Sequence, residues 1–244
     1  MKENLRTMHF DPLYFVFILP GLVLALVASF MTKSAFAKYS KVRTATGLTG
    51  AQAAKRLLDG AGIHDVEIVA TPGRLTDHYD PSKKVLALSE EVYGVPSIAA
   101  VGVACHEAGH AIQHQHHYGP LALRSALVPT AGIGSNLGYI MMSIGLFMTF
   151  MSRGQSGQMV VLAGALLFSA VLLFQIVTLP VEFNASARAK ELAIAQGIVL
   201  PQERQGMDRV LNAAALTYVA AVVSTLLTLL YYLLRSGLLG GRRD

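Results

Sequence analysis

The stretch "LVPTAGIGSNLGYIMMSIGLFMTFMSRGQSGQMVVLAGALLFSAVLLFQIVTL", residues Leu127–Leu179, decides how this chain is built. It holds two apolar runs, Leu127–Met151 and Met159–Leu179, joined by the short polar linker "SRGQSGQ" (Ser152–Gln158). Neither run carries a charged residue, and each is long enough to cross about 30 Å of hydrocarbon as a helix. Two crossings return a chain to the side it left. Whatever the orientation, residues before Leu127 and after Leu179 therefore meet the same solution. Gly134 and Gly138 form a GxxxG pair that, with Gly132 and Gly145, predicts close helix packing in lipid. Asn136 is expected to make an interhelical hydrogen bond.

Two further apolar runs flank this hairpin, Pro12–Met31 and Ala213–Leu234, giving about four transmembrane helices. The composition agrees. Of 244 residues, 53% are hydrophobic and only 14% charged, and the mean hydropathy is +0.47, too apolar for an ordinary soluble domain. The first run has two readings, an uncleaved anchor or a cleaved signal ending at "SAFA" (Ser34–Ala37). Its length, Pro20 and the following Lys33, Lys38, Lys41 and Arg43 favour the anchor. The polar segments Thr32–Ala126 and Val181–Asn212 hold fourteen Lys and Arg, against Lys2, Arg6, Arg153, Arg235, Arg242 and Arg243 on the other side. That asymmetry predicts that these two polar segments lie on the cytoplasmic side of a cell membrane. The net charge of +5 thus reflects topology and not a nucleic-acid surface, since no basic-aromatic groove accompanies it. The single cysteine, Cys105, excludes an intrachain disulfide framework.

The expected organisation is an anchor (1–31), an α+β catalytic segment (32–126), the membrane hairpin (127–179), a ligand-bearing helix with its connection (180–212), and a last span with its tail (213–244). In the catalytic segment, Thr49 caps a helix that Gly60 and Gly62 stop. "VEIVA" (Val66–Ala70), "RLTDHY" (Arg74–Tyr79) and "VLALS" (Val85–Ser89) read as short strands, the last two joined by a turn at Asp80-Pro81-Ser82. Strand Val85–Ser89 could offer an edge to an extended substrate. Ser97 caps a helix that runs to about His117.

That last helix contains "HEAGH": His106, Glu107 and His110. At about 100° per residue the two histidines lie roughly 40° apart and about 6 Å along the axis, so both imidazoles can reach one Zn²⁺ with Glu107 beside it. Catalytic zinc usually takes three protein ligands. His116 holds the tenth place after His106, as in HExxHxxGxxH, but Gln113 stands where that pattern needs a turning glycine. On a continuous helix His116 lies about 15 Å, and His114 about 12 Å, along the axis from His106. Neither can share its metal, and His117 has no better claim. Glu182, just past the hairpin, returns to the face that carries the histidines and is assigned as the third ligand. Pro180 would start its helix, and Gly197 would stop it. Ser186, one turn on, could orient a ligand. Oxyanion stabilisation falls to His78, Tyr79 or Arg188, each of which could equally hold the sheet or helix together. Cys105 reads as a small buried side chain.

Taken with "LTDHYDP" (Leu75–Pro81), "LALSEEVYG" (Leu86–Gly94), "LPVEFNASARA" (Leu179–Ala189) and "VLNAAALTYVAA" (Val210–Ala221), the helix makes the chain resemble the YugP-like bacterial membrane zinc metallopeptidases, the neutral zinc metallopeptidase family. The resemblance implies a gluzincin-like site, one Zn²⁺ per chain and hydrolysis of peptide bonds. The run Glu182–Ala189 also looks like the ExxAD helix of heat-shock membrane zinc peptidases, with Ser186 where those carry aspartate. The expected fold is an α-helical membrane protein with a small α+β zincin-like catalytic unit. The expected partners are the lipid bilayer and a peptide or membrane-protein substrate, with no nucleic acid. Two other readings differ in class. A site-2-type protease would take an aspartate ligand from a later span, but "LLDG" (Leu57–Gly60) precedes HExxH. A zinc-binding membrane scaffold would keep the metal without needing Glu107.

Overall fold

A computed structural model describes residues 11–152 and 155–239. Lys2, Arg6, Arg153, Arg242 and Arg243, which entered the charge count, lie outside them. The elements in order are helix α1 (Pro12–Tyr39), α2 (Gly50–Gly60), strands β1 (Glu67–Thr71), β2 (His78–Asp80) and β3 (Val85–Ser89), the single turn α3 (Glu90–Tyr93), and α4 (Ile98–Gln115). There follow α5 (Gly119–Ile133), a π turn (Gly134–Gly138), α6 (Tyr139–Ser152), α7 (Gln155–Ala195), a 3-10 turn (Pro201–Glu203) and α8 (Arg204–Arg235). Among the described residues, four helical stretches are long and apolar enough to cross a membrane: Pro12–Tyr39, Gly119–Met151, Gln155–Ala195 and Pro201–Arg235. The protein is a helical membrane protein with a small α+β unit.

The chain forms two compact units. One draws on Val128–Leu173, the chain up to Leu26 and the chain from Ala220; the other on Val27–Leu127 and Phe174–Val219. In the first, glycines set the packing of the π turn and α6 on α7, while a Cβ at Gly132 of α5 would meet nothing within 4 Å. A Cβ at Gly134 would meet the Leu167 carbonyl oxygen at 2.5 Å, and one at Gly145 would meet that of Gly157 at 2.8 Å. Only glycine permits these approaches, which is the use that the GxxxG spacing predicts. Met142, Val161, Ala165, Phe168, Leu229 and Tyr232 fill the interior of this unit. Asn136 does not make the expected interhelical bond. It lies in the π turn, faces outward, and pairs with no side chain among the described residues.

In the second unit, α2 starts on a capping box. Thr49 Oγ1 accepts from the Gln52 amide at 3.3 Å, and the Gln52 side chain accepts from the Thr49 amide at 3.0 Å. Its buried face, Ala53, Ala54, Leu57 and Leu58, packs into the same core as Val101, Ala104, Ala108 and Ile112 of α4. The sheet has the order β1-β3-β2, with β1 parallel and β2 antiparallel to β3. The turn at Asp80–Ser82 places β2 on one side of β3, and β1 takes the other. Strand β3 is therefore central and, contrary to expectation, has no free edge; the open edges belong to β1 and β2. Strand β2 is also shorter than the expected Arg74–Tyr79. Asp77 turns its carboxylate onto the Ser89 amide and hydroxyl, at 2.7 and 3.0 Å, so the preceding residues leave the ladder.

Pro180 does not start a helix. It lies inside α7, a continuous 41-residue helix about 60 Å long, roughly twice the thickness of the hydrocarbon. A proline there removes one backbone donor but keeps a helical φ, which long apolar helices tolerate.

Candidate metal centre

Helix α4 begins at Ser97, whose Oγ accepts from the Ala100 amide at 3.2 Å. Nearly every residue from Ile98 to Gln113 is buried, so the helix is held on all sides. Its contact with α7 is unusually close. A Cβ at Gly109 would lie 2.6 Å from the Ala185 carbonyl oxygen, and Ala185 itself is fully buried. The glycine inside HEAGH is what lets the two backbones meet.

That approach brings three groups together. His106 Nε2 lies 3.2 Å from Glu182 Oε2, and His110 Nε2 lies 3.6 Å from the same oxygen. Ligand atoms of His106, His110 and Glu182 all fall within 4.8 Å of one another, a group that could hold a metal ion. Glu182 is only 2% exposed. A carboxylate so deeply placed needs a positive partner. Burial works against a charge on His110, yet the Glu182 carboxylate and the charge of Glu107 outweigh it and raise its pKa. The cluster is thus built to hold positive charge.

The outer ring atoms are fixed. His106 Nδ1 lies 3.0 Å from Ser186 Oγ, and His110 Nδ1 lies 3.0 Å from Gln113 Oε1. Gln113 Nε2 donates to the Val181 carbonyl at 2.8 Å and to Asn184 Oδ1 at 3.0 Å. Because the Val181 carbonyl can only accept, the amide orientation is set and Oε1 must face His110. At His110 this obligate acceptor places the hydrogen on Nδ1 and turns the Nε2 lone pair toward Glu182, the tautomer that a metal ligand requires; the Ser186 hydroxyl can accept from His106 Nδ1 in the same way. On the other side, Arg124 reaches Glu182 Oε1 at 3.2 Å, leaving Oε2 to the imidazoles. Tyr218 lines the same cavity as Glu182. Two imidazole nitrogens and one carboxylate oxygen, convergent and buried, suit Zn²⁺.

The cluster opens on a cavity of about 330 Å³ lined by His106, Glu107, Glu182, Ser186, Asp77 and Tyr218 at its polar part, and elsewhere by apolar side chains of α1, α4 and α8. Of the residues expected to stabilise an oxyanion, none lines it. His78 Nδ1 donates to the Thr76 carbonyl at 2.7 Å. Tyr79 pairs its hydroxyl with His114 Nδ1 at 2.9 Å, which also accounts for His114. Arg188 Nε donates to Asn184 Oδ1 at 2.8 Å and so closes the Gln113 network. His116 and His117 are exposed at the end of α4. Sequence reasoning missed Gln113, Arg124 and Tyr218. A polar residue one turn past His110 in an otherwise buried helix, and a lone tyrosine in "AALTYVAA", were the available signals.

Fold and site together are those of a helical membrane protein with three convergent side chains that could hold a metal ion beside a cleft. The chain belongs to the family described as "Putative neutral zinc metallopeptidase", which matches residues 14–237. It is 45% identical over 221 residues to the "Putative membrane protease YugP" of Bacillus subtilis (strain 168), covering 90% of this chain and 95% of that protein. No solved structure matches it.

Proposed function

We propose that the protein is a membrane zinc metalloendopeptidase in which His106, His110 and Glu182 hold one Zn²⁺ per chain and Glu107 is the general base. The observation that carries this is the convergence of those three side chains within 4.8 Å, beside a cleft that Glu107 also lines. When bound, the ion supplies Lewis acidity that lowers the pKa of a water and polarises the scissile carbonyl. Glu107 takes the attacking water's proton on its carboxylate and delivers it to the leaving amine. Ser186 and Gln113 hold the two imidazoles in register. Arg124 holds Glu182, and Tyr218, lining the cleft with Glu182 and Glu107, supplies a donor toward the carbonyl oxygen. Thr32 and Phe36 of α1 and Val210, Leu211, Ala214, Ala215, Thr217 and Tyr218 of α8 line the same cleft and belong to helices apolar enough to span a bilayer. Substrates are accordingly polypeptides at the membrane surface. The charge asymmetry supports a bacterial cell membrane with the catalytic side cytoplasmic.

The test uses the purified protein in lipid nanodiscs, with zinc content read by mass spectrometry and cleavage of membrane-derived peptides read in parallel. Glu107→Gln keeps stoichiometric zinc and loses cleavage, Glu182→Ala loses zinc, and His116→Ala changes neither. Cleavage that persists undiminished in Glu107→Gln overturns the mechanism.

A further inference from the structure

The connection between β1 and β2 holds a leucine in a conformation that leucine avoids. Leu75 has a φ of 56°, in the left-handed region that only Gly, Asn and Asp visit routinely. Its neighbours pin it there. Gly73 has a φ of 99°, and a Cβ on it would sit 2.9 Å from Thr76 Cγ2. Thr76 Oγ1 donates to the Pro72 carbonyl at 3.1 Å, Arg74 Nε reaches Glu91 at 2.8 Å, and Asp77 accepts from the Ser89 amide at 2.7 Å. The side chain so presented is not buried in a core. It is 57% exposed and lines the cleft that contains His106 and Glu107. Strain persists where the surrounding structure imposes it, and it concentrates at functional sites.

Phe36, Val103, Val210, Leu211 and Ala214 line that cleft together with Leu75. The cavity, about 330 Å³, stands at the small end of ligand pockets and suits one or two side chains. We infer that Leu75 is a specificity-determining residue: it closes an apolar subsite that receives an aliphatic or aromatic side chain of the polypeptide substrate beside the scissile bond. This rests on the peptidase reading above. No other exposed aliphatic side chain of the β1–β2 connection lines the cleft, so the subsite loses this wall when Leu75 is shortened.

The experiment profiles cleavage of a peptide library, made by digesting total membrane protein with a sequence-specific protease, by wild type, Leu75→Gly and Leu75→Met in nanodiscs. Mass spectrometry reads the residues on either side of each cut, and melting temperatures are taken with and without zinc. Wild type cuts beside apolar residues. Leu75→Gly reduces the preference for large apolar over small residues at one flanking position by roughly tenfold, the scale of a lost aliphatic contact in a pocket. Leu75→Met retains the preference. The melting temperature of Leu75→Gly does not fall, because glycine relieves the strained φ. An unchanged profile in Leu75→Gly overturns the assignment and leaves Leu75 to the lipid surface. So does a loss equal at all positions together with a lower melting temperature, the mark of a structural role. A library left intact by zinc-loaded wild type overturns the peptidase reading itself.

Discussion

Replacing Gly109 with alanine tests whether the meeting of α4 and α7 makes the metal centre. The new Cβ would lie 2.6 Å from the Ala185 carbonyl oxygen, 3.2 Å from its carbon and 3.3 Å from its Cα. All three are backbone atoms, so no side-chain rotation relieves the clash. Restoring ordinary contact, at about 3.5 Å, requires the helices to part by nearly 1 Å. Metal ligands tolerate errors of about 0.2 Å, and Glu182 stands one turn from Ala185 on the displaced helix. Overpacking of this kind costs about 1–3 kcal/mol, which lowers zinc affinity roughly 5- to 150-fold if it falls on the bound state. Alanine is the better helix former by about 1 kcal/mol, so the melting temperature of the metal-free protein should change little. The assay is zinc titration against a chromophoric chelator in nanodiscs, with thermal unfolding of the apoprotein beside it. Wild-type zinc affinity in Gly109→Ala would refute the reasoning, because it would mean that the centre does not depend on this backbone approach.

Two further outcomes follow from buried side chains of α4. Gln113→Ala removes the acceptor that fixes the His110 ring and should weaken zinc binding by about 10- to 100-fold, the usual cost of losing such a partner. Competition against the same chelator checks this, and unchanged affinity would show that the Gln113 bond does not orient the ligand. Cys105 is fully buried, and burial pushes its thiol up to about 12. It should resist iodoacetamide at pH 8 in the folded protein and react after denaturation, as intact-mass measurement will show. Labelling of the native protein at the rate of a free thiol would contradict the burial of α4.

How much of this was legible in the sequence can be judged from particular residues. HEAGH identified the metal-binding face because the α-helical period alone places His106 and His110 together. The two apolar runs and their short linker identified the hairpin through length and polarity, quantities local to the chain. Strand order was harder to read. The continuous apolar run of "VLALS" marks a strand covered on both faces but does not say whether one edge or both are paired, so the central place of β3 was invisible. Pro180 misled for a related reason: its local preference is a helix start, but a long helix that tolerates one missing donor carried on through it. Asn136 misled because a polar residue in a span suggests a partner, whereas the π turn directs this one outward.

The sequence by itself determined the four long apolar helices, the HExxH face, and the return of Glu182 to the solution that the histidines face. Each follows from periodicity, length or parity of crossings, and none needs a coordinate. Only the tertiary structure decided that Gln113 and Ser186 set the imidazole ring orientations, that Arg124 holds Glu182, and that Leu75 and Tyr218 line the cleft. Those relations join residues far apart along the chain, 80 positions in the case of His106 and Ser186. Contacts of that kind depend on how backbones approach, at Gly109 and Ala185 above all, and side-chain chemistry read along one chain carries no record of distance.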